Sequence, residues 1–349
     1  MEEYIQLLRS LISVKSYSKL EKDAANIIRG FLEKKGVPYE VKAYNTWARN
    51  LHWKEGLPVI LLDSHIDTVK PAGGYTRDPF QADIEDGVLY GLGSNDAGGP
   101  LVTLLAVFMH FYPQQNLPYN LLFAASAEEE ISGPNGLASI IDELGPFDLA
   151  VVGEPTLMHM AIAEKGLMVL DCIAHGKSGH AAREEGENAI YKAISDIEKL
   201  KNYRFEKSSA ILGCVKLSVT MINAGTQHNV VPDACSFVVD VRTNEYYSNQ
   251  DALRIIDQLL ESEVKPRSLR LNSSGIPMEH PIVQRGIHLG LDYYGSPTTS
   301  DQAVIPYQSI KIGPGDSARS HTADEYILIS EIEEGFKIYL DLLTGLQLR

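Results

Sequence analysis

A chain of 349 residues is longer than one hydrophobic core usually serves, so more than one compact unit is expected. The composition is that of an ordinary globular protein. A formal net charge of −15 argues against a nucleic-acid or anionic-membrane surface, since either partner would be approached against repulsion, and leaves a small molecule or a protein as the partner.

The opening MEEYIQLLRSLISVKS reads as an amphipathic helix with acids in its first turn, not as a signal peptide, and no membrane-spanning run is visible. Helical AANIIRGFLEKKG, strand-like PVILLDSH, helical PLVTLLAVFMHFY, strand-like YNLLFAAS, helical GLASIIDELG and strand-like LAVVGE follow. Short apolar runs bounded by turn residues predict strands buried on both faces of a mainly parallel sheet, an α/β layered domain. From about residue 167 the order becomes LMVLDCIAHG (strand), NAIYKAISDIEKL (helix), CVKLSVTMINAG (strand), CSFVVDVRTN (strand), DALRIIDQLLESE (helix) and SLRLNSS (strand). That is the split βαβ, ferredoxin-like unit. Helical PIVQRGIHLGLDYYG, strand-like SIKIG and helical EIEEGFKIYLDLL then return to the first domain. The expectation is a layered mixed-sheet α/β domain made of residues 1–166 and 274–349, with a small ferredoxin-like domain, 167–273, inserted. Cys172, Cys214 and Cys235 are odd in number and lie in apolar alternating segments, which predicts buried, reduced thiols and a cytoplasmic protein.

Polar residues cluster where strands end, which is where open α/β sheets place ligands. His65 and Asp67, two apart on an extended segment, project to one face, and a carboxylate beside an imidazole orients it as a metal ligand. Asp96, in the turn GLGSNDAGG before a helix, fits either an N-cap or a ligand. Glu154 follows a buried strand in VVGEPT, where an acid is costly unless paired or metal-bound. His321 sits in the turn-rich GPGDSARSHTADEY, and AASAEEEISG ends a strand in Glu128, Glu129 and Glu130. Nitrogen and oxygen donors without a thiolate suit a catalytic Zn²⁺, Co²⁺ or Mn²⁺ site better than a structural zinc site.

In this order, HID (65–67), GSNDAGG (93–99), AEEE (127–130), VVGEPT (151–156), SGHAA (178–182), NVVPD (229–233) and GPGDSARSH (313–321) resemble the M20 family of dinuclear-zinc amidohydrolases, and most of all its acetylornithine and acetyllysine deacetylase branch. The resemblance implies a zinc-hydrolase catalytic domain with an inserted lid and dimerisation domain, and two Zn²⁺ ions that Co²⁺ or Mn²⁺ could replace. It makes Asp96 the bridging ligand, with His65 and Glu154 completing one metal and Glu130 and His321 the other. Asp67 would orient His65, and Glu129 would take a proton from the attacking water and pass it to the leaving amine. His180 would donate to the oxyanion across a homodimer interface, Asn229 and Arg242 would hold substrate, and Glu128 would be solvated. The reaction implied is removal of an acyl group, acetyl foremost, from an N-acyl amino acid such as acetylornithine or acetylcitrulline in arginine biosynthesis. Succinyl-diaminopimelate desuccinylase or a dipeptidase is the alternative within the same chemistry. A non-catalytic amino-acid sensor would need the ligands but has no use for Glu129, and a glycosidase using paired carboxylates accounts for neither histidine.

Overall fold

The computed structural model describes residues 1–348. The chain divides into two compact units: Met1–Ile162 with Gly275–Tyr294 and Ser300–Arg349, and Ala163–Ser274 with Gly295–Thr299. The second unit begins four residues before the expected 167. It also takes in the short Gly295–Thr299 piece, which lies inside the 274–349 segment expected to belong to the first domain.

In the first unit the sheet runs Glu40–Lys42, Asn45–Arg49, Asn120–Ser126, Val59–His65, Leu149–Val152, Ser309–Lys311 and then Met160–Glu164. Val59–His65 is parallel to both of its neighbours, and Ser309–Lys311 is parallel to Leu149–Val152. Asn45–Arg49 adds antiparallel at one side. All seven residues of VILLDSH and all seven of NLLFAAS are buried, as expected of central strands covered on both faces.

Helix Gly99–Phe111 has a proline in its first turn, where the missing N–H costs nothing, and is apolar on nearly every side. Eleven of its 13 residues are buried, because it packs on the two central strands and is itself covered by helices Glu2–Ile12 and Ile329–Leu343. Burial of each large side chain there, Phe108 and Leu104 among them, contributes about 1.5–3 kcal/mol. Trp47, Leu61, Leu122, Phe147 and Val152 form a smaller core on the other face. The parallel strands therefore stop in a common direction, and His65, the AEEE turn and Glu154 all follow their ends.

The second unit carries four antiparallel strands in the order Lys216–Ala224, Ala234–Arg242, Met168–His175, Glu263–Pro266, with helices Ala189–Asn202 and Asn249–Leu259 between them in the chain. Both helices start on side-chain caps, Asn188 accepting from the Ile190 N–H and Ser248 from the Asp251 N–H. This is the order of a split βαβ unit.

The structure corrects three local expectations. The fourth strand is Glu263–Pro266, not SLRLNSS, since helix Asn249–Leu259 ends early enough for the strand to form upstream. GLASIIDELG is one 3-10 turn and the short helix Ile141–Leu144. Cys172 and Cys235 are buried, but Cys214 is exposed, because it precedes the Lys216–Ala224 strand instead of lying within it. No described helix is long and apolar enough to cross a membrane.

Candidate active site

Five of the side chains predicted as metal ligands come together in the first unit, with Asp96 at their centre. Its Oδ1 lies 3.2 Å from His65 Nε2 and its Oδ2 lies 3.6 Å from His321 Nε2. Around His65 Nε2 stand Glu154 Oε1 at 3.7 Å and Glu129 Oε2 at 4.0 Å. On the other side His321 Nε2 meets Glu130 Oε2 at 3.0 Å. Donor atoms of His65, Asp96 and Glu130 all lie within 4.8 Å of one another, as do those of His65, Glu129 and Glu154. Proximity alone thus groups His65 with acids from both sides. The direction of the two Asp96 oxygens, one toward each histidine, is the more discriminating observation.

Local chemistry explains how these groups are held. His65 is buried at the end of its strand, and Nδ1 lies 2.9 Å from the main-chain oxygen of Asp67. A carbonyl only accepts, so the proton sits on Nδ1 and Nε2 faces the acids. The Asp67 carboxylate is farther from Nδ1, at 3.5 Å, and its main partners are elsewhere. It accepts from Ser18 Oγ at 2.7 Å, from the Glu129 N–H at 3.0 Å and from the Glu130 N–H at 3.2 Å. One carboxylate therefore fixes the backbone of the two glutamates, while its own carbonyl fixes the imidazole. Asp96 is not an N-cap, because the residue that precedes helix Gly99–Phe111 is Gly98 and Asp96 stands two positions before it, at φ −118, ψ 101.

Glu128 is not solvated. It is 4% exposed, in the left-handed region at φ 54, and its carboxylate accepts from the Asn135 N–H and side chain at 3.1 and 2.9 Å. A Cβ at Gly133 would run into that carboxylate, so the glycine after the triplet is required by close approach.

The electrostatics follow from burying acids together. Burial first, then the nearby Asp96, pushes Glu154 up to about 8. Burial also raises Glu129 well above the carboxylate range; His65 opposes this, and Glu154, Asp301 and Glu130 reinforce it. Burial would lower His65, yet its bonds to Asp67 and Asp96 and the charges of Glu129 and Glu154 raise it well above an ordinary imidazole. Glu130 lifts His321 to about 9. For Asp96, burial is outweighed by the bond to His65, and the carboxyl is lowered. Crowded acids raised in this way are the signature of a site suited to cations.

Residues that sequence reasoning passed over also belong here. Glu325 accepts from the N–H groups of Gly93, Asn95 and Asp96, and the Asn95 side chain bonds Asp316 and Ser320. The only sequence signals were their places, one residue before Asp96 and four after His321. Asp63, inside the VILLDSH strand, is wholly buried, and burial and then Asp301 push its carboxyl well above the usual range.

His180, Asn229 and Arg242 lie in the second unit. Gly179 and His180 pair with Val231 and Val230, and the Ala181 N–H donates to the Asn229 carbonyl, so SGHAA and NVVPD form one short ladder. His180 is exposed and its Nδ1 accepts from the Ala182 N–H at 3.1 Å, which leaves the ring proton on Nε2. Arg242 directs Nε and Nη2 at the Asp240 carboxylate, at 2.8 and 3.1 Å, and Nη1 at Thr299 Oγ1 at 3.3 Å. The guanidinium expected to hold substrate thus faces Asp240.

The chain matches the profile of Peptidase family M20/M25/M40 over residues 61–345. It is 26% identical to a succinyl-diaminopimelate desuccinylase of Wolbachia pipientis subsp. Culex pipiens, over 77% of this chain and 72% of that protein. Its fold is similar to that of an M20 family metallo-carboxypeptidase from Sulfolobus solfataricus, with TM-score 0.78 and 16% identity, covering 99% of each chain. It is also similar to that of a Bacillus subtilis dinuclear metal binding peptidase of the M20 family, with TM-score 0.75 and 17% identity, again over 99% of each chain. With its profile match running from the His65 strand to the last helix, the chain belongs to Peptidase family M20/M25/M40, an enzyme family of amide-bond hydrolases.

Proposed function

We propose that this protein is a divalent-metal-dependent amidohydrolase that splits an acyl group from an N-acyl amino acid. The observation that carries the reading is the Asp96 carboxylate, aimed at His65 on one side and His321 on the other, with Glu129 alongside. The donor set fits two catalytic divalent ions: it is all imidazole and carboxylate, and burial raises Glu154, and Glu129 beside it, unless cations offset their charge. His65, Asp96 and Glu154 would hold one ion, and Asp96, Glu130 and His321 the other. Zinc fits such donors, as do cobalt and manganese. When bound, the ions would polarise the amide carbonyl and make water acidic near neutral pH.

The chain's own residues supply the rest. Glu129 Oε takes a proton from water as the new C–O bond forms and delivers it to the departing amine nitrogen as C–N breaks. His180 Nε2–H is available to a developing oxyanion, and Asn229 and Arg242 would hold the substrate, Arg242 after exchanging Asp240 for the ligand.

The desuccinylase relatives favour the succinyl reading over acetylornithine, and arginine biosynthesis has no support among them. A second feature agrees. Lys216 and Arg242 are cross-strand partners, and Lys165 donates to the Cys214 carbonyl at 2.7 Å; burial, then Lys216 and Arg242, push its ammonium down. Three cations against one Asp240 favour a substrate with an extra carboxylate. A panel of succinyl-diaminopimelate, acetylornithine, acetylcitrulline, acetyllysine and a dipeptide, assayed with zinc or cobalt, is expected to give greatest kcat/KM on the succinyl compound. Activity should vanish after chelation and return with metal. Turnover unaffected by thorough chelation would sink the mechanism, and a preference for acetylornithine would restore the acetyl reading.

A homodimer through the second unit is part of the same proposal. Strand Lys216–Ala224 is a sheet edge, and Met221, Ile222, Tyr191 and Ile194 are exposed in that unit, the pattern of an edge awaiting a partner. If His180 acts across that interface, dissociated and re-mixed Glu129→Gln and His180→Ala proteins should recover about a quarter of wild-type activity, one competent site in four on random pairing. Mixtures as inactive as their parents would place His180 in cis or outside the reaction.

A further inference from the structure

Two side chains outside the ligand set tie the Asp96 turn to the His321 loop, each gripping the other's segment. Glu325 is 2% exposed, and both of its oxygens are occupied by main-chain donors: Oε2 by the Gly93 N–H at 3.0 Å, Oε1 by the N–H groups of Asn95 and of Asp96 itself, both at 2.9 Å. In return Asn95 Oδ1 accepts from the Asp316 N–H at 3.0 Å, while its Nδ2 donates to the Asp316 carbonyl at 3.0 Å and to Ser320 Oγ at 3.3 Å. Ser320 directly precedes His321, and Glu325 follows it by four residues.

We infer that Asn95 and Glu325 are positioning residues that hold Asp96 and His321 at the spacing needed for one carboxylate to serve two metal ions. The inference rests on the metal-centre reading above. Asp96 lies outside helical geometry, so the helix that follows does not fix its side chain. Its direction is set by the turn, and the turn is anchored on Glu325. Three N–H groups converging on one carboxylate form an anion-binding concavity, here filled by the protein's own acid. Without that acid the three donors lose their partner in a buried place, and the turn must rearrange to satisfy them. Gly315 has a complementary role: at φ +91, its missing Cβ leaves room for Asn95 Oδ1, which a side chain there would strike. The two grips act in opposite directions across the chain, so losing either one should loosen Asp96 against His321 without touching His65, whose place is set by its strand and by the Asp67 carbonyl.

The test measures metal binding and not turnover. Metal-free wild type, Glu325→Gln, Asn95→Ala and Asn95→Asp proteins are titrated with Zn²⁺ by calorimetry, with stoichiometry checked by atomic absorption, and the melting of each metal-free protein is recorded. Wild type is expected to bind two equivalents. Asn95→Ala, which frees the His321 loop, is expected to lose about 10- to 100-fold at the site His321 completes and less at the other, whereas Glu325→Gln, which frees the turn carrying the shared Asp96, is expected to lose about 10- to 100-fold at both, the usual scale for groups that orient ligands. Asn95→Asp, which keeps the acceptor for the Asp316 N–H, should fall between. If both variants bind two ions with wild-type affinities, whatever their melting temperatures, the two residues are merely structural and the inference is overturned. Should Glu325→Gln fail to fold, Asn95→Ala decides the matter from the other half of the clamp. A wild-type protein that takes up no second ion would instead overturn the metal-centre reading itself, and the inference with it.

Discussion

Replacing Glu129 with Gln is expected to lower kcat by about 10²–10⁴-fold while metal content stays at the wild-type level. The substitution keeps the side chain's shape and leaves its main-chain N–H on the Asp67 carboxylate, so the turn has no cause to move. What it removes is the proton acceptor. Glu129 suits that task because burial, with Glu154, Asp301 and Glu130 adding to it, raises its carboxyl well above that of a free glutamate. A stronger base draws the proton from water more readily, and a positive ion nearby would keep it in its charged form until needed. Its neighbour Glu130 sits against His321 at 3.0 Å and should behave differently, Glu130→Gln losing affinity at one metal. Equal loss of metal in both variants, or full turnover in Glu129→Gln, would refute the division of labour between these adjacent acids.

Asp96→Asn is expected to affect both ions at once. An amide offers one oxygen and one NH₂ where the carboxylate offers two oxygens, and those oxygens face His65 and His321 separately. Affinity should therefore fall by more than about 100-fold at each site, beyond what loss of an orienting group alone costs. The clearest readout is thermal. At free metal about 100 times Kd, a site binding only the folded state adds about 2.7 kcal/mol of stability, and this metal-induced rise in melting temperature should vanish in the variant. The metal-free variant should be less stable than metal-free wild type near neutral pH, since the bond to His65 favours the charged Asp96 in the fold, so the readout is the metal-induced shift of each protein and not its absolute melting temperature. A variant that still shows the full metal-induced shift would remove Asp96 from the centre of the site.

Motifs such as GPGDSARSHTADEY point to the acetylornithine branch, but relatives matched over nearly the whole chain include succinyl-diaminopimelate desuccinylases at 25–26% identity. The reason is physical: the motifs encode metal and proton chemistry, which acetyl and succinyl substrates share. On the proposed succinyl reading, discrimination would fall to residues such as Lys165 and Lys216, which no motif marks.

The sequence by itself determined the layered α/β and split βαβ patterns and the candidate ligands, because strand ends, hydrophobic period and donor type are local properties. His65, Asp96, Glu154, His321 and one of the three glutamates 128–130 could be read as candidates from a few flanking residues, and the separate roles of Glu129 and Glu130 came only with the family resemblance. Only the tertiary structure decided how they are held. Asp67 spends its carboxylate on the backbone of Glu129 and Glu130, Glu128 is buried against Asn135, and Arg242 faces Asp240. Glu325 reaches the Gly93 N–H across 232 residues of chain. The bonds of Asp67 and Glu325 are accepted from main-chain N–H groups, which every residue but proline carries, so they leave no pattern in the sequence and exist only once the fold has brought the segments together.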